Sequence, residues 1–527
     1  MSNAGSGLNS YLVGGGIASL AAAVYLIRDG HLPGQNIHIL EEARLGGCLD
    51  ASGSPEAGFS MRGTRMYGPA YVLMYELLSG IPSLDEPTKS VTQDTLEFWQ
   101  EAPWDDHARL VEGGQIVDVA TFGLSNKDRV DLIGLMLRDE DALGAKHIDQ
   151  CFDSSFFQTN FWLMWCSMFG FETWHSAVEL RRYLLRFLRM FPHLSTMKLI
   201  QSTRYNGYDS IVRPLVRWLE QRGVQFNTGV QVTDLDFTPV DNDRKSVRRI
   251  RCRRDGEPAD IEVDARDLVI VTLGSMTADS SLGSMAAPPV LAKERRSGAW
   301  TLWERLAAKN PAFGRPGVFC GHVDQTKWVT FTVTHKDDRF VRMMEQLSGR
   351  PPGCGGLVTL KSSSWLLTFH LFSPPAYAGQ PPGIHVWWGY GLFADRVGDF
   401  VKKTMCECTG EEILVEVFSH LGWHDEMPAL IESANCIPCL LPYTTSQFMP
   451  RAKGDRPQVI PPGTVNLAFV GQYCEIPDNV VYTVEYSVQS AALAVASLLG
   501  FPQKAPPAYH GLDHPNALVG AMKRILE

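Results

Sequence analysis

The 527-residue chain has no run of about 18 apolar residues, so no segment is expected to span a membrane. It has no excess of positive charge. Its 48 Lys and Arg stand against 58 Asp and Glu, a net charge of −10, which excludes a general nucleic-acid binder. The same balance repels anionic lipid wherever cations do not cluster. Met1 to Gly7 is polar, without the apolar core of a secretory signal. The eleven cysteines are odd in number and scattered, which excludes a disulfide framework and predicts reduced thiols in a cytoplasmic setting. Cys436-Ile-Pro-Cys439 has the spacing of a metal or redox pair. It lacks a second CxxC or a His pair, so no metal is expected. What remains is 45% hydrophobic and 20% charged. That is an ordinary globular mixture, long enough for two or three domains.

The most informative stretch is Tyr11-Leu-Val-Gly-Gly-Gly-Ile-Ala-Ser-Leu20. An apolar run enters three glycines, and an Ala-rich segment leaves them, which predicts strand, tight turn and helix. Gly14 permits the turn, Gly16 lets backbone approach a pyrophosphate, and Ser19 is small enough for close helix–strand packing. The helix start offers free N–H groups to phosphate. Ile37-His-Ile-Leu-Glu41 then reads as a second strand ending in an acid for a ribose hydroxyl. Glu41 lies farther from the glycines than the usual ~20 residues, and the loop Gly30 to Asn36 accounts for the excess. Gly46-Gly47, close behind, favours FAD over NAD.

Arg62-Gly-Thr-Arg-Met-Tyr-Gly-Pro69 is a Gly-rich loop with two cations. It is expected either to close over the flavin ring, with Arg62 and Thr64 as cofactor contacts, or to serve as an ordinary connection. Helices are predicted over 71–79, within 125–146 and over 210–222. Residues 153–192 are rich in aromatics, which suit either plain core or an apolar substrate tunnel. Val230-Gln-Val232 resembles a return into the nucleotide domain, with Val232 a cofactor contact. Residues 236–265 alternate like a β-meander. Asp267 to Ser275 reads as a buried parallel strand beside the first. Val465 to Gly471 is the last strand, Glu475 to Asn479 a turn, and Val480 to Leu499 a helix whose start faces the flavin; Ser275, Gly471, Glu475 and Asn479 join the cofactor set. The fold class is therefore α/β: an FAD-binding Rossmann-like domain of the glutathione-reductase type, an interleaved α+β substrate domain and a helical C-terminal part. The flavin domain is expected at 8–80, 206–280 and 441–500, the substrate domain at 81–205 and 281–440, and a helical tail at 501–527. That tail, with Lys523 and Arg524, packs on the protein or touches a membrane peripherally.

The chain resembles the oleate hydratase family, also called myosin-cross-reactive antigen proteins. The resemblance is carried in order by Gly14-Gly-Gly-Ile-Ala-Ser-Leu-Ala-Ala-Ala23, Arg28-Asp-Gly30, Phe161-Trp-Leu-Met-Trp165, Trp174-His-Ser-Ala-Val-Glu-Leu-Arg-Arg-Tyr183, Tyr208-Asp-Ser-Ile211, Gly274-Ser-Met-Thr277, Tyr390-Gly-Leu-Phe393, Glu407-Cys-Thr-Gly-Glu-Glu412 and Phe469-Val-Gly-Gln-Tyr-Cys-Glu-Ile-Pro-Asp478. It implies an FAD-dependent addition of water to the double bond of an unsaturated fatty acid, without net redox change, by a monomer or homodimer. The family's proton-donating tyrosine falls on Tyr183. Its glutamate falls on Met66, which cannot polarise water, and its nearby glutamine on Gly207. Its carboxylate-binding Thr, Asn and His fall on His370, Phe372 and Ala376, of which His370 still has a donor; Trp165 is a further substrate contact. Arg65 is left to position water, and Tyr67 is a second proton donor. Two alternatives stay open: a double-bond isomerase or cyclase of a polyene or polyketide-like lipid using Tyr183 as acid, and a lipid-binding or redox flavoprotein.

Overall fold

The computed structural model describes residues 7–241, 244–292, 294–502 and 509–527. Its centre is a five-stranded sheet in the order Leu467–Val470, Leu268–Thr272, Ser10–Val13, Ile37–Glu41, Gln225–Thr228. Every neighbouring pair is parallel. A parallel sheet covered on both faces needs strands that are apolar throughout, not alternating. Leu268-Val-Ile-Val271 meets that condition and is buried residue by residue. The Ala-rich helix Ile17–Arg28 is buried from Ile17 to Leu26. Its short side chains let it lie against the sheet and against the helix Val484–Leu498. The chain thus enters this sheet early, leaves it after Glu41, returns at Gln225 and Leu268, and closes it with Leu467–Val470.

Beside it, Val230–Asp241 and Arg244–Arg254 form a long antiparallel hairpin with bulges, extended by Ile261–Glu262. This is the meander expected over 236–265; residues 242–243 lie outside the described residues. The second large sheet has eight strands. Its order is Ser281–Leu282, Ala434–Leu441, Trp328–His335, His385–Gly391, Leu367–Leu371, Val358–Leu360, Leu110–Glu112, Gln115–Ile116. All but one of its pairings are antiparallel, and Val358–Leu360 runs parallel to Leu110–Glu112. One face packs on the hairpin Ala51–Ser54/Gly58–Met61. Thr334 and Thr332 there accept hydrogen bonds from the Phe59 and Met61 amides at 2.9 and 3.1 Å.

Four local readings are sharpened. The helix expected over 210–222 opens with a π-turn, Tyr208–Val212, before the α-helix Arg213–Glu220. The helix expected from Val480 starts only at Val484, because Thr483 caps it by accepting the Tyr486 amide at 3.2 Å. Cys436 and Cys439 share the strand Ala434–Leu441. Three residues apart on a strand, they point to opposite faces, and both thiols are free. The tail helix Pro515–Leu526 is docked: Ala521 and Ile525 are buried, and the Arg524 guanidinium donates to the Ala120 carbonyl at 2.6 Å and lies over the Phe122 ring. Residues 503–508 and 1–6 of the two termini lie outside the described residues.

Candidate cofactor cleft and active site

The first strand ends in Gly14, whose φ of +97° suits glycine. A Cβ there would also press on Thr272 at 3.2 Å. A Cβ at Gly16, by contrast, would have nothing within 4 Å: it would project into a cleft. Gly16 is also the N-cap of Ile17–Arg28 and makes no side-chain cap bond. The helix therefore presents bare backbone donors to a cleft of about 410 Å³ lined by Gly14 to Gly16, Glu41, Gly47, Arg62, Val232 and Ser275, among others. Glu41 accepts from the Gly15 amide at 2.6 Å and the Ala43 amide at 2.8 Å. Burial pushes its carboxyl upward, and the two amides pull it back. A cleft lined by an N–H-rich helix start and a strand-end acid fits a dinucleotide.

Other residues expected around the cofactor take structural places. Ser19 is buried in the helix–sheet interface, its hydroxyl 3.1 Å from that of Thr272, as close packing requires. Gly46 turns away, where a Cβ would meet the Tyr208 ring at 3.0 Å, while its amide donates to the Gly15 carbonyl. The Gly471 amide donates to Ser490 at 2.9 Å. Glu475 pairs with Arg182 at 3.0 Å and Arg451 at 3.2 Å. Asn479 caps its own turn by accepting the Val480 amide and holds Gln489. The segment Gly471 to Asn479 thus braces the site rather than lining the cleft. The helix Val484–Leu498 likewise points its start elsewhere.

That start, Thr483 and Val484, lines a second cavity of about 70 Å³. Here the structure brings together Thr64, Arg65, Met66, Tyr67 and Tyr183 with Phe169, Trp328, Trp388, Tyr390 and Tyr482. Tyr183 is 1% exposed and ringed edge-on by Phe169, Phe171 and Phe448 at 5.2, 5.0 and 5.5 Å. Its oxygen accepts the Tyr482 amide at 3.0 Å. With that lone pair engaged, its own proton is directed elsewhere. Burial, then the nearby Glu179 carboxylate, hold the phenol well above its ordinary pKa, so it carries its proton at any physiological pH. The Tyr67 hydroxyl is buried with no partner. A Cβ at Gly207 would lie 3.5 Å from it and 3.1 Å from Leu49, so a side chain at 207 would border both. Among the described residues, no Asp, Glu or His lines the cavity around Tyr183.

Gly207, His370 and Phe372 line a neighbouring cavity that also touches Thr64 and Arg65, while Ala376 lies in a third, smaller one. His370 differs from expectation. Its Nδ1 is 2.7 Å from the Gly356 carbonyl, which fixes the proton there, and burial lowers its pKa to about 4. A neutral ring whose one N–H is already spent cannot donate to an anion. Trp165 is fully buried and stacks on Phe161 at 5.5 Å. Of the aromatic stripe 153–192, Phe169 and Phe187 reach the Tyr183 cavity, and the rest packs largely on itself. Trp328, Trp388 and Tyr482 escaped sequence reasoning. They carry no local motif and reach the site only through sheet pairing and the turn before Val484.

Comparison with known proteins follows the same outline. The model of the MCRA family matches residues 8–496. An oleate hydratase from Streptococcus pyogenes is 38% identical, the match covering 95% of this chain and 87% of that one. A linoleate hydratase from Lactiplantibacillus plantarum is 31% identical, with 98% of each chain covered. Among solved structures, a putrescine oxidase bound to putrescine superposes with a TM-score of 0.55 at 12% identity, covering 94% of this chain and 99% of that one. An oxidoreductase from Methanosarcina mazei gives 0.52 at 13% identity, covering 94% and 100%. These distant likenesses describe the fold alone.

Proposed function

The chain belongs to the MCRA family, and from that premise we propose that it is an FAD-dependent hydratase, a carbon–oxygen lyase that adds water across a C=C bond of an unsaturated fatty acid without net redox change. The observation that carries this reading is the placement of Tyr183: a protonated, water-shielded phenol in an aromatic cavity beside the Gly-rich loop 62–69. Gly14 to Gly16, Glu41, Gly47, Val232 and Ser275 would hold the dinucleotide, and Arg62 and Thr64 its inner end. FAD held there would help to organise the alkene site and would supply no electrons to the product. The segments 8–80, 206–280 and 441–500 would serve as the flavin domain.

The chemistry follows from which groups give and which accept protons. Tyr183 delivers its proton to one alkene carbon, and water bonds to the other. The proton lost by that water restores the phenol, so H and OH are added in sum. Met66 cannot take a proton and Arg65 only donates, so the water attacks without a carboxylate base. Attack then follows protonation, and the faces of Trp328, Trp388 and Phe169 stabilise the positive charge that builds on carbon. The absence of a base typically costs ~10²–10⁴ in rate.

The test is to incubate flavin-loaded protein with oleate and with linoleate in ¹⁸O-labelled water. A hydroxy product carrying the label supports hydration. A rearranged product of unchanged mass would replace hydration by isomerisation, for which the carboxylate-free cavity provides. No turnover of either acid overturns the enzyme reading.

A further inference from the structure

Arg65 is the outlier of the site. Its guanidinium donates to the carbonyls of Thr64 at 2.9 Å and Cys48 at 3.1 Å, approaches the Met276 sulfur at 3.8 Å and lies 5.4 Å from the Tyr482 ring centre. All of these partners are neutral. Other arginines of this interior have acids: Arg182 has Glu140 and Glu475, and Arg451 and Arg456 share Glu179. Among the described residues, Arg109 and Arg186 are also held by carbonyls without an ion pair, but neither lines a cavity of the site, as Arg65 does. Arg65 forms no ion pair among the described residues. A cation taken from water without a countercharge is costly, and such a cost persists where a ligand offsets it.

The position of Arg65 narrows what that ligand is. Cys48 follows Gly47, and Met276 follows Ser275; both glycine and serine line the dinucleotide cleft. Arg65 itself lines the Tyr183 cavity and the neighbouring cavity of Gly207 and His370. It stands at the junction of three spaces. The surroundings are rich in donors: the Tyr67 hydroxyl and the indole N–H groups of Trp328 and Trp388 are buried without partners. His370, neutral and already bonded, adds no charge.

We infer that Arg65 is the receptor of an anion at this junction, an electron-rich group presented either by the ring of reduced flavin or by the carboxylate of the fatty acid. The inference rests on the cofactor and substrate reading above. It would move the charge recognition of the site from His370, Phe372 and Ala376 to Arg65.

Two measurements on flavin-loaded wild type, Arg65→Met and Arg65→Lys separate the sources. If the anion is the reduced flavin, Arg65→Met loses at least a tenfold preference for reduced over oxidised cofactor, a fall of about 30 mV in the two-electron potential, and Arg65→Lys recovers most of it. If the anion is the carboxylate, the potential holds while the preference for binding oleate over oleyl alcohol falls at least tenfold, again restored by Lys. Arg65→Gln replaces Arg65→Met if the latter fails to fold. Neither readout depends on turnover. An inactive protein showing either effect refutes the hydratase reading alone. An active hydratase in which the neutral variant changes neither the potential nor the oleate preference refutes the anion receptor.

Discussion

Replacing Tyr183 by phenylalanine removes one oxygen and separates two roles of that atom. The ring keeps its edge-on contacts with Phe169, Phe171 and Phe448, so no cavity larger than a hydroxyl opens. The Tyr482 amide, 3.0 Å away, loses its acceptor. A buried donor left unpaired costs about 1–3 kcal/mol, which sets the expected loss of unfolding free energy. Loss of a general acid typically costs ~10²–10⁴ in rate, or about 3–5 kcal/mol of barrier. The expected result is a folded, flavin-binding protein with a modestly lower Tm and a rate of hydration at least a hundredfold down. The assay is hydroxy-acid formation by mass spectrometry, alongside far-ultraviolet circular dichroism and the absorbance of bound flavin. Tyr67→Phe is the internal control for stability, because its hydroxyl has no partner to orphan; its Tm should not fall. Wild-type turnover in Tyr183→Phe would refute the assignment of the acid.

Further outcomes are fixed by the geometry. Gly16→Leu should leave Tm unchanged, since a side chain there meets only the cleft, yet weaken flavin binding at least tenfold by fluorescence titration. Gly14→Val should instead lower Tm, because its φ is positive and Thr272 stands 3.2 Å from the new Cβ. Glu179 is fully buried between Arg456 at 2.9 Å and Arg451 at 3.1 Å. Glu179→Gln strands buried cations and should cost about 3–5 kcal/mol in chemical denaturation. Burial raises the Glu172 carboxyl to about 7. The folded state then holds a proton that the unfolded state releases near the usual carboxylate pKa. Its stabilisation is complete below that pKa and is lost as pH rises through about 7, so Glu172→Gln should flatten the fall of Tm between pH 5 and 8.

The glycine-rich turn and its cleft were largely legible, because their requirements are local. A turn that needs positive φ demands glycine, a helix packed on a strand demands a small residue, and an acid at a strand end has a fixed distance in sequence. Gly14, Gly16, Ser19 and Glu41 announce themselves in one βαβ unit. The second sheet was less legible. Trp328–His335 is buried at every position, so its threonines face the interior and no alternation of polar and apolar marks the strand. Thr332 and Thr334 satisfy the backbone of another hairpin, a demand that arises only in three dimensions. Glu475 and Asn479 have partners that the sequence did not suggest, for a similar reason. Their neighbours in sequence suggest the flavin, but Arg182, brought in by a distant helix, engages the Glu475 carboxylate and the Asn479 backbone carbonyl. Arg65 shows the limit most clearly, since the lack of a countercharge is a property of the surroundings and not of the loop that carries it.

The hydrogen bond from Tyr482 to Tyr183 joins residues 299 apart in sequence. The strand Leu467–Val470, which precedes Tyr482, closes one edge of the parallel sheet. The Gly-rich turn after the first strand therefore forms within one local unit, but the Tyr183 hydroxyl is oriented only when two distant segments meet. Two fragments divided in the exposed turn near Gly454 would each be inert toward alkenes, and mixing them would restore chemistry only as the edge strand docks. The orientation of the Tyr183 hydroxyl thus works as a reporter of completed folding.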